Sequence, residues 1–212
     1  MLGMYFGNLH TYEDFNVFLS EVEIPPATPK TNFVDIPGGD GSADLTAALG
    51  RVFYNDRECT FKLSVRPGDD YEQKKTEISN KINGQRLRLR LDKDPGFYYV
   101  GRCCVSEYKS EKRINSIVVT ATVSPYKLKL SETMQEYQAG ISGQQRLFLG
   151  CGVAVIPSII TESDCILTVN GGTYRMNEGT HTIPDFELLP GENTFGLEST
   201  GKVIIKYQER DL

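Results

Sequence analysis

Apolar side chains recur at every second position in three stretches of this sequence, and this period of two favours β-structure along much of the chain. Side chains of an extended strand point alternately to opposite faces, so an alternating stretch buries one face and exposes the other. The three stretches are residues 59–65, 87–91 and 117–123. A turn at residues 92–96 precedes another apolar run. This arrangement predicts an antiparallel hairpin of residues 86–91 against 97–104.

One segment departs from this pattern and predicts a helix at about residues 70–83. It contains good helix formers and no proline, and acidic residues fill its first turn. Asp69 or Asp70 can cap the amino end, and Gly84 stands where a helix often stops. Its apolar positions, Tyr71, Ile78 and Ile82, form a thin stripe, which is typical of a surface helix packed on a sheet.

The second half of the chain is again a series of short strands. Asn170 and the two glycines after it form a hairpin turn, because these residues accept positive φ angles. A proline at position 125 ends the last long strand, so we place the boundary there and predict domains at 1–125 and 126–212. The fold class is mostly β, with two β-sandwich domains, the first carrying the single helix. The predicted strands are residues 146–149, 153–156, 165–169, 173–176, 180–183, 193–197 and 202–207.

The composition disfavours several classes of function. The net charge of −5 argues against a protein that grips nucleic acid through its phosphates. The five cysteines include no C-x-x-C pair, and the two histidines have no metal-ligand spacing, so we predict no metal and no cofactor. No catalytic constellation stands out, so we predict no enzyme. The sequence has no apolar run of membrane-spanning length and no secretory signal, which predicts assembly in a cytoplasm.

The glycine-rich stretch at residues 35–46 resembles a phosphate-binding loop only superficially. A P-loop needs a lysine followed by serine or threonine after its glycines, and none is present. We interpret the stretch as two successive turns that can form a shaped contact loop. A second candidate contact segment, residues 24–30, contains three prolines and predicts a stiff, extended arm.

Arg86, Arg88 and Arg90 alternate with leucines, so their side chains should share one face of a strand. Three interpretations are open. The first is a solvated face paired with local acids, the second is a face that meets a carboxylate patch on a neighbouring subunit, and the third is a face that binds nucleic acid.

Several short motifs follow one another along nearly the whole chain. They lie at residues 8–15 (NLHTYEDF), 36–46 (IPGGDGSADLT), 80–85 (NKINGQ), 95–101 (PGFYYVG), 123–127 (VSPYK), 167–174 (LTVNGGTY), 188–195 (LLPGENTF) and 203–207 (VIIKY). None is specific alone, but in this order they resemble the motifs of the distal tail protein (Dit) family of long-tailed phages.

The resemblance implies a structural protein of a phage or prophage tail, located in the virion at the tail tip or baseplate. Such proteins form a homo-hexameric ring at the distal end of the tail tube. The amino-terminal domain builds the ring, and a galectin-like, jelly-roll sandwich points outward. The implied partners are the tail tube protein and a tail hub, fibre or tail-associated lysin protein, with no membrane. DNA passes through the channel without specific binding.

For such a ring, the sequence offers three groups of candidate contacts with neighbouring subunits or the tube. We also expect a neutral or acidic channel lining, because a basic lining would retain DNA, so the arginines should face away from the lumen. The candidates are Pro25, Pro26, Pro29, Pro37, Gly38, Gly39, Asp40, Gly41, Arg86, Arg88 and Arg90.

The alternative function is a carbohydrate-binding accessory or adhesin module. Tyr174 and Tyr207 could serve as aromatic platforms for a sugar. The absence of tryptophan weakens this interpretation, because sugar sites favour large flat aromatic side chains.

Overall fold

The computed structural model describes residues 3–48, 50–110 and 115–212, and for residues 106–110 it describes the backbone only. The chain divides into two compact units, Met1–Lys127 and Leu128–Leu212. Strand β10, Lys127–Lys129, begins at this division. Within the described residues, the single helix has 12 residues. This helix is too short and too polar to cross a membrane.

The first unit is built on one antiparallel sheet, in which seven strands follow the order β2-β1-β7-β8-β9-β6-β3. The predicted hairpin is confirmed, because Arg86 of β7 lies opposite Arg102 of β8. The strands of the unit are β1 Met4–Phe6, β2 Leu9–His10, β3 Val17–Glu23, β4 Phe33–Asp35, β5 Ser42–Asp44, β6 Arg57–Val65, β7 Arg86–Leu91, β8 Phe97–Ser110 and β9 Asn115–Val123.

This sheet curls over itself to enclose a core. The rings of Phe6 on β1 and Phe61 on β6 lie 6.0 Å apart, edge to face, although three strands separate β1 from β6 in the sheet. A flat sheet would hold these strands about 19 Å apart, at about 4.8 Å per strand. The alternating residues of β6 and β9 point inward as predicted, since Leu63 and Val119 are fully buried.

Helix α1, Tyr71–Ile82, covers one part of this core. The Asp70 carboxylate accepts a hydrogen bond from the Gln73 amide at 3.1 Å, so Asp70 is the amino-terminal cap. Ile78 and Ile82 are fully buried, and they form the apolar stripe expected from the sequence. The helix ends before Gly84, whose φ of 75° suits glycine better than other residues.

The second unit is a sandwich of two four-stranded antiparallel sheets, with orders β11-β18-β13-β16 and β12-β17-β14-β15. Its core includes Phe186 and Phe195, whose rings meet at 5.0 Å. The strands are β11 Thr133–Tyr137, β12 Ile141–Leu149, β13 Ser158–Thr161, β14 Cys165–Val169, β15 Gly172–Met176, β16 Gly179–Thr182, β17 Gly191–Ser199, β18 Val203–Tyr207 and β19 Arg210–Asp211.

The second unit confirms most of the predicted strands and corrects one. Asn170 and Gly171 both have positive φ and form the predicted turn between β14 and β15. The predicted strand at 153–156 is wrong. Only Val155 pairs there, through an isolated bridge to Leu188. Val155 is also the one buried residue of this run, and Ile156 is exposed, so the run joins no sheet. Strands β11 and β13 were not predicted.

Candidate functional site

A long excursion between β3 and β6, residues 25–56, forms an arm on the first unit. Near its base, Pro29 bridges to Tyr54, and the Lys30 amide donates to the carbonyl of Phe53 at 2.7 Å. Further out, β4 and β5 form a two-stranded hairpin, which pairs Phe33 with Asp44. Every residue from 28 to 42 is exposed. The proline-rich segment and the glycine turn, predicted as separate contacts, therefore belong to one structure.

The base of the arm holds a buried arginine. Arg57 is 6% exposed, and its Nη1 donates to the carbonyl of Pro25 at 3.4 Å. Its guanidinium lies 5.2 Å from the centre of the Tyr99 ring. In the described structure its Nε and Nη2 have no hydrogen-bond partner. Arg57 is the first residue of β6, so its hydrogen bond to the Pro25 carbonyl connects the start of the arm to the sheet.

The glycine turn at the tip has a conformational reason for its glycines. Gly38 and Gly41 have φ angles of 76° and 78°, and an added Cβ at either would meet no atom within 4 Å. Backbone freedom, rather than space for a ligand, accounts for these two glycines. Pro37, Gly39 and Asp40 complete the turn and are exposed. Because the turn leads from β4 to β5, it is a hairpin connection.

Large apolar side chains on the arm lie open to solvent. Phe33 is 59% exposed and Ile36 is 50% exposed, and Val34, Leu45 and Phe53 are also exposed. Soluble monomers rarely expose large apolar patches, so several exposed apolar side chains on one segment favour an interaction surface. The hairpin also has two strands only, so its outer edges offer unpaired backbone groups.

The same hairpin carries acidic groups and no basic residue. Its acids are Asp35, Asp40 and Asp44. Hydrogen bonds from the hydroxyl and amide of Thr46 hold the pKa of the exposed Asp44 carboxyl below its usual value. Asp35 accepts a hydrogen bond from the Ser42 hydroxyl at 2.7 Å. The arm hairpin, residues 33–45, is therefore an apolar and anionic surface.

The arginines of β7 stack on aromatic side chains. The Arg90 guanidinium lies 4.2 Å from the ring centre of Tyr5, its cross-strand neighbour, and Arg88 lies 5.0 Å from that of Tyr98. In the described part of the chain, no carboxylate forms an ion pair with Arg86, Arg88 or Arg90. Local pairing with acids, the first of the three interpretations, therefore does not describe this face.

Arg86 and Arg102 bring two positive charges side by side. They are cross-strand partners, and both line a groove of about 730 Å³. Arg102 donates to the carbonyl of Gly84 at 2.6 Å, and one carboxylate, Asp56, also lines the groove. Adjacent like charges repel each other, so this face favours an anionic partner.

The described residues show no arrangement suited to nucleophilic or metal chemistry. Burial raises the pKa of the Cys59 thiol to about 11 and that of Cys103 to about 12, so both thiols stay protonated. The Nε2 atom of the buried His10 lies 3.2 Å from a carboxylate oxygen of Asp92, and the His10 ring packs against the ring of Tyr5. Among the residues that the structure describes, no cluster of His, Cys, Asp and Glu could hold a metal ion.

Comparison with solved structures identifies the fold. The Dit protein (gp 19.1) of phage SPP1, described as a paradigm of the hub adsorption apparatus in phages that infect Gram-positive bacteria, superimposes with a TM-score of 0.77. The match covers 100% of both chains at 12% sequence identity. This chain has the Dit fold. No protein-family model and no curated protein matches the sequence.

The Dit fold confirms the fold class that the motifs implied, over the whole chain. Of the two aromatic platforms of the carbohydrate-binding alternative, Tyr207 is buried at 6% exposure and cannot present its ring to a sugar. Tyr174 is half-buried, and its hydroxyl donates to the carboxylate of Asp185.

Proposed function

We propose that this chain is a structural protein of a phage or prophage tail that forms a hexameric ring at the distal end of the tail tube. The ring would act as a hub that joins the tube to the adsorption apparatus in the virion. It would be assembled in the host cytoplasm and have no enzymatic activity. The main support is the exposed apolar surface of the arm hairpin, on a chain with the Dit fold over its full length.

The arm suits a contact between copies. A head-to-tail interface, repeated around an axis, closes into a ring when its rotation fits the number of copies. Such an interface uses two different surfaces on each subunit. The arm hairpin offers one, because it is apolar, anionic and open at its edges. Pro25, Pro26 and Pro29 limit the conformations of the segment that leads to it, which reduces the entropy lost on docking.

The arginine face of β7 and β8 is the second surface that we propose. Asp35, Asp40 and Asp44 of one copy would approach Arg86 and Arg88 of the next. Arginine is well suited to such interfaces, because its planar fork binds carboxylates in a bidentate way. With the arginines used between copies, the channel lining can be neutral or acidic, and DNA can pass without counterion-release affinity.

Light scattering combined with electron microscopy tests the proposal. We expect rings of six copies, formed by the full chain alone or on addition of the tail tube protein, since binding to a partner shifts assembly. A chain that stays monomeric in the presence of the tube protein and the other tail components contradicts the proposal. A charge reversal at Arg88 should disrupt the rings, whereas reversal of Arg146 on the second unit should leave them intact.

A further inference from the structure

We propose that the second unit carries a binding cleft for a neutral, hydroxyl-rich saccharide. The cleft has a volume of about 530 Å³ and lies at one end of the sheet β12-β17-β14-β15. This volume falls within the range of about 300–1,000 Å³ that is usual for small-molecule sites. The inference concerns the second unit alone and does not depend on the proposed ring.

A row of four cross-strand neighbours crosses the cleft. Ser142 on β12 lies opposite Glu198 on β17, Glu198 lies opposite Ile166 on β14, and Ile166 lies opposite Arg175 on β15. Their neighbours in sequence, such as Leu167, point into the core, so these four side chains share the outer face of the sheet. The apolar side chain of Ile166 therefore lies between the carboxylate of Glu198 and the guanidinium of Arg175.

The polar side chains of the cleft are available for a ligand. In the described part of the protein, the side chains of Asp164, Asn177, Arg175 and Glu198 make no hydrogen bond or ion pair. This contrasts with Arg146 and Glu192 on the same sheet, which pair at 3.1 Å. Unpaired charges that converge on one concave surface are the polar groups that fix a ligand in its site.

The chemistry of these groups favours a neutral sugar. Carboxylates only accept hydrogen bonds, a guanidinium only donates them, and an amide does both, which together match the adjacent hydroxyl groups of a pyranose. The side chain of Ile166 gives the C–H face of the ring an apolar floor. With two carboxylates and one guanidinium, the cleft repels phosphate and other anions. Because no aromatic side chain lines it, we expect weak binding, with a dissociation constant on the order of 1 mM.

Nuclear magnetic resonance of the full chain tests the cleft. The probes are maltose, cellobiose, lactose and diacetylchitobiose at millimolar concentrations, with inorganic phosphate and spermidine as charged comparisons. At least one disaccharide should shift the amide signals of Ile166, Arg175 and Glu198. No shift with any disaccharide, shifts confined to other surfaces, or shifts with phosphate or spermidine alone overturn the inference.

Matched variants separate a specific site from a surface effect. Arg175→Gln with Glu198→Gln should weaken disaccharide binding about tenfold or more, because each loses a charge-assisted hydrogen bond. Arg146→Gln with Glu192→Gln makes the same change in charge on the same sheet outside the cleft and should bind as the unaltered chain does. Equal binding by both double variants, each with a native-like spectrum, overturns the inference. Ring formation is measured separately by light scattering, so either proposal can fail alone.

Discussion

Replacing Phe33 with alanine removes an aromatic side chain from the arm hairpin and should weaken assembly between copies. Phe33 is 59% exposed, and an aromatic side chain buries about 150–250 Å², so a neighbour can cover about 120 Å² of it. At about 25 cal/mol per Å², this burial contributes at most about 3 kcal/mol per interface. Alanine keeps a small part of the contact, which leaves a loss of about 2–3 kcal/mol, or about 30- to 150-fold in affinity.

Sedimentation velocity over a concentration series measures this loss as a shift of the assembly midpoint. The matched control is Phe148→Ala, because Phe148 is 72% exposed on a strand of the second unit, outside the arm. We expect the control to assemble as the unaltered chain does. Equal midpoints for Phe33→Ala and the unaltered chain, with unchanged folding, would refute the role of the hairpin. A loss of the same size in the control would show that exposed phenylalanines act without regard to position.

Three further predictions concern stability and reactivity. Gly101→Ala should lower the free energy of unfolding by about 2 kcal/mol in urea, because its Cβ would stand 2.4 Å from a carbonyl oxygen of β9, whereas Gly96→Ala, with no atom within 4 Å, should change little. Burial alone would raise the pKa of Glu209, but hydrogen bonds from Lys129 and a threonine hydroxyl bring it below its usual 4.5. Its contribution to stability is therefore complete above about pH 4.5 and is lost as the pH falls through the lower folded value, and Glu209→Gln should remove this part of the acid dependence. In native protein, alkylation followed by mass spectrometry should modify the exposed Cys104 first, with the four buried thiols reacting only on unfolding.

The sequence predicted the strands whose two faces differ in polarity. Residues 59–65 and 117–123 have one face in the core, and that difference produces the alternation that was recognised. The helix was recognised for a similar reason, because Asp70 and Gly84 mark its ends and Ile78 and Ile82 mark its buried stripe. In these segments local preference and tertiary burial agree.

The strands of the arm hairpin were not predicted, because neither face of β4 is buried and its sequence therefore has no alternation of apolar and polar residues. Phe33, Val34 and Asp35 of β4 are all exposed, so the strand has no buried face in the isolated chain. The two turn-forming steps around Gly38 and Gly41 were visible, but the short strands beside them were not. The available signal was the presence of Phe33, Val34 and Ile36 just before the glycine turn.

The sequence also did not predict which side chains contact the arginines of β7. The alternation of Arg86, Arg88 and Arg90 predicted their shared face, but the aromatic rings that stack on two of them come from other strands. Tyr5 reaches Arg90 because β1 pairs with β7, a contact between distant parts of the chain. Sequence spacing does not define such pairings, and the strand order of the sheet decides them.

A side-chain-resolved electron microscopy map of the assembled tail tip tests the central claim most directly. The account predicts a ring of six copies in which a neighbouring copy covers Phe33 and Ile36 of each arm, with Arg86 and Arg88 outside the channel. A closed ring that leaves the arm hairpin in solvent, or one whose channel is lined by these arginines, would contradict it.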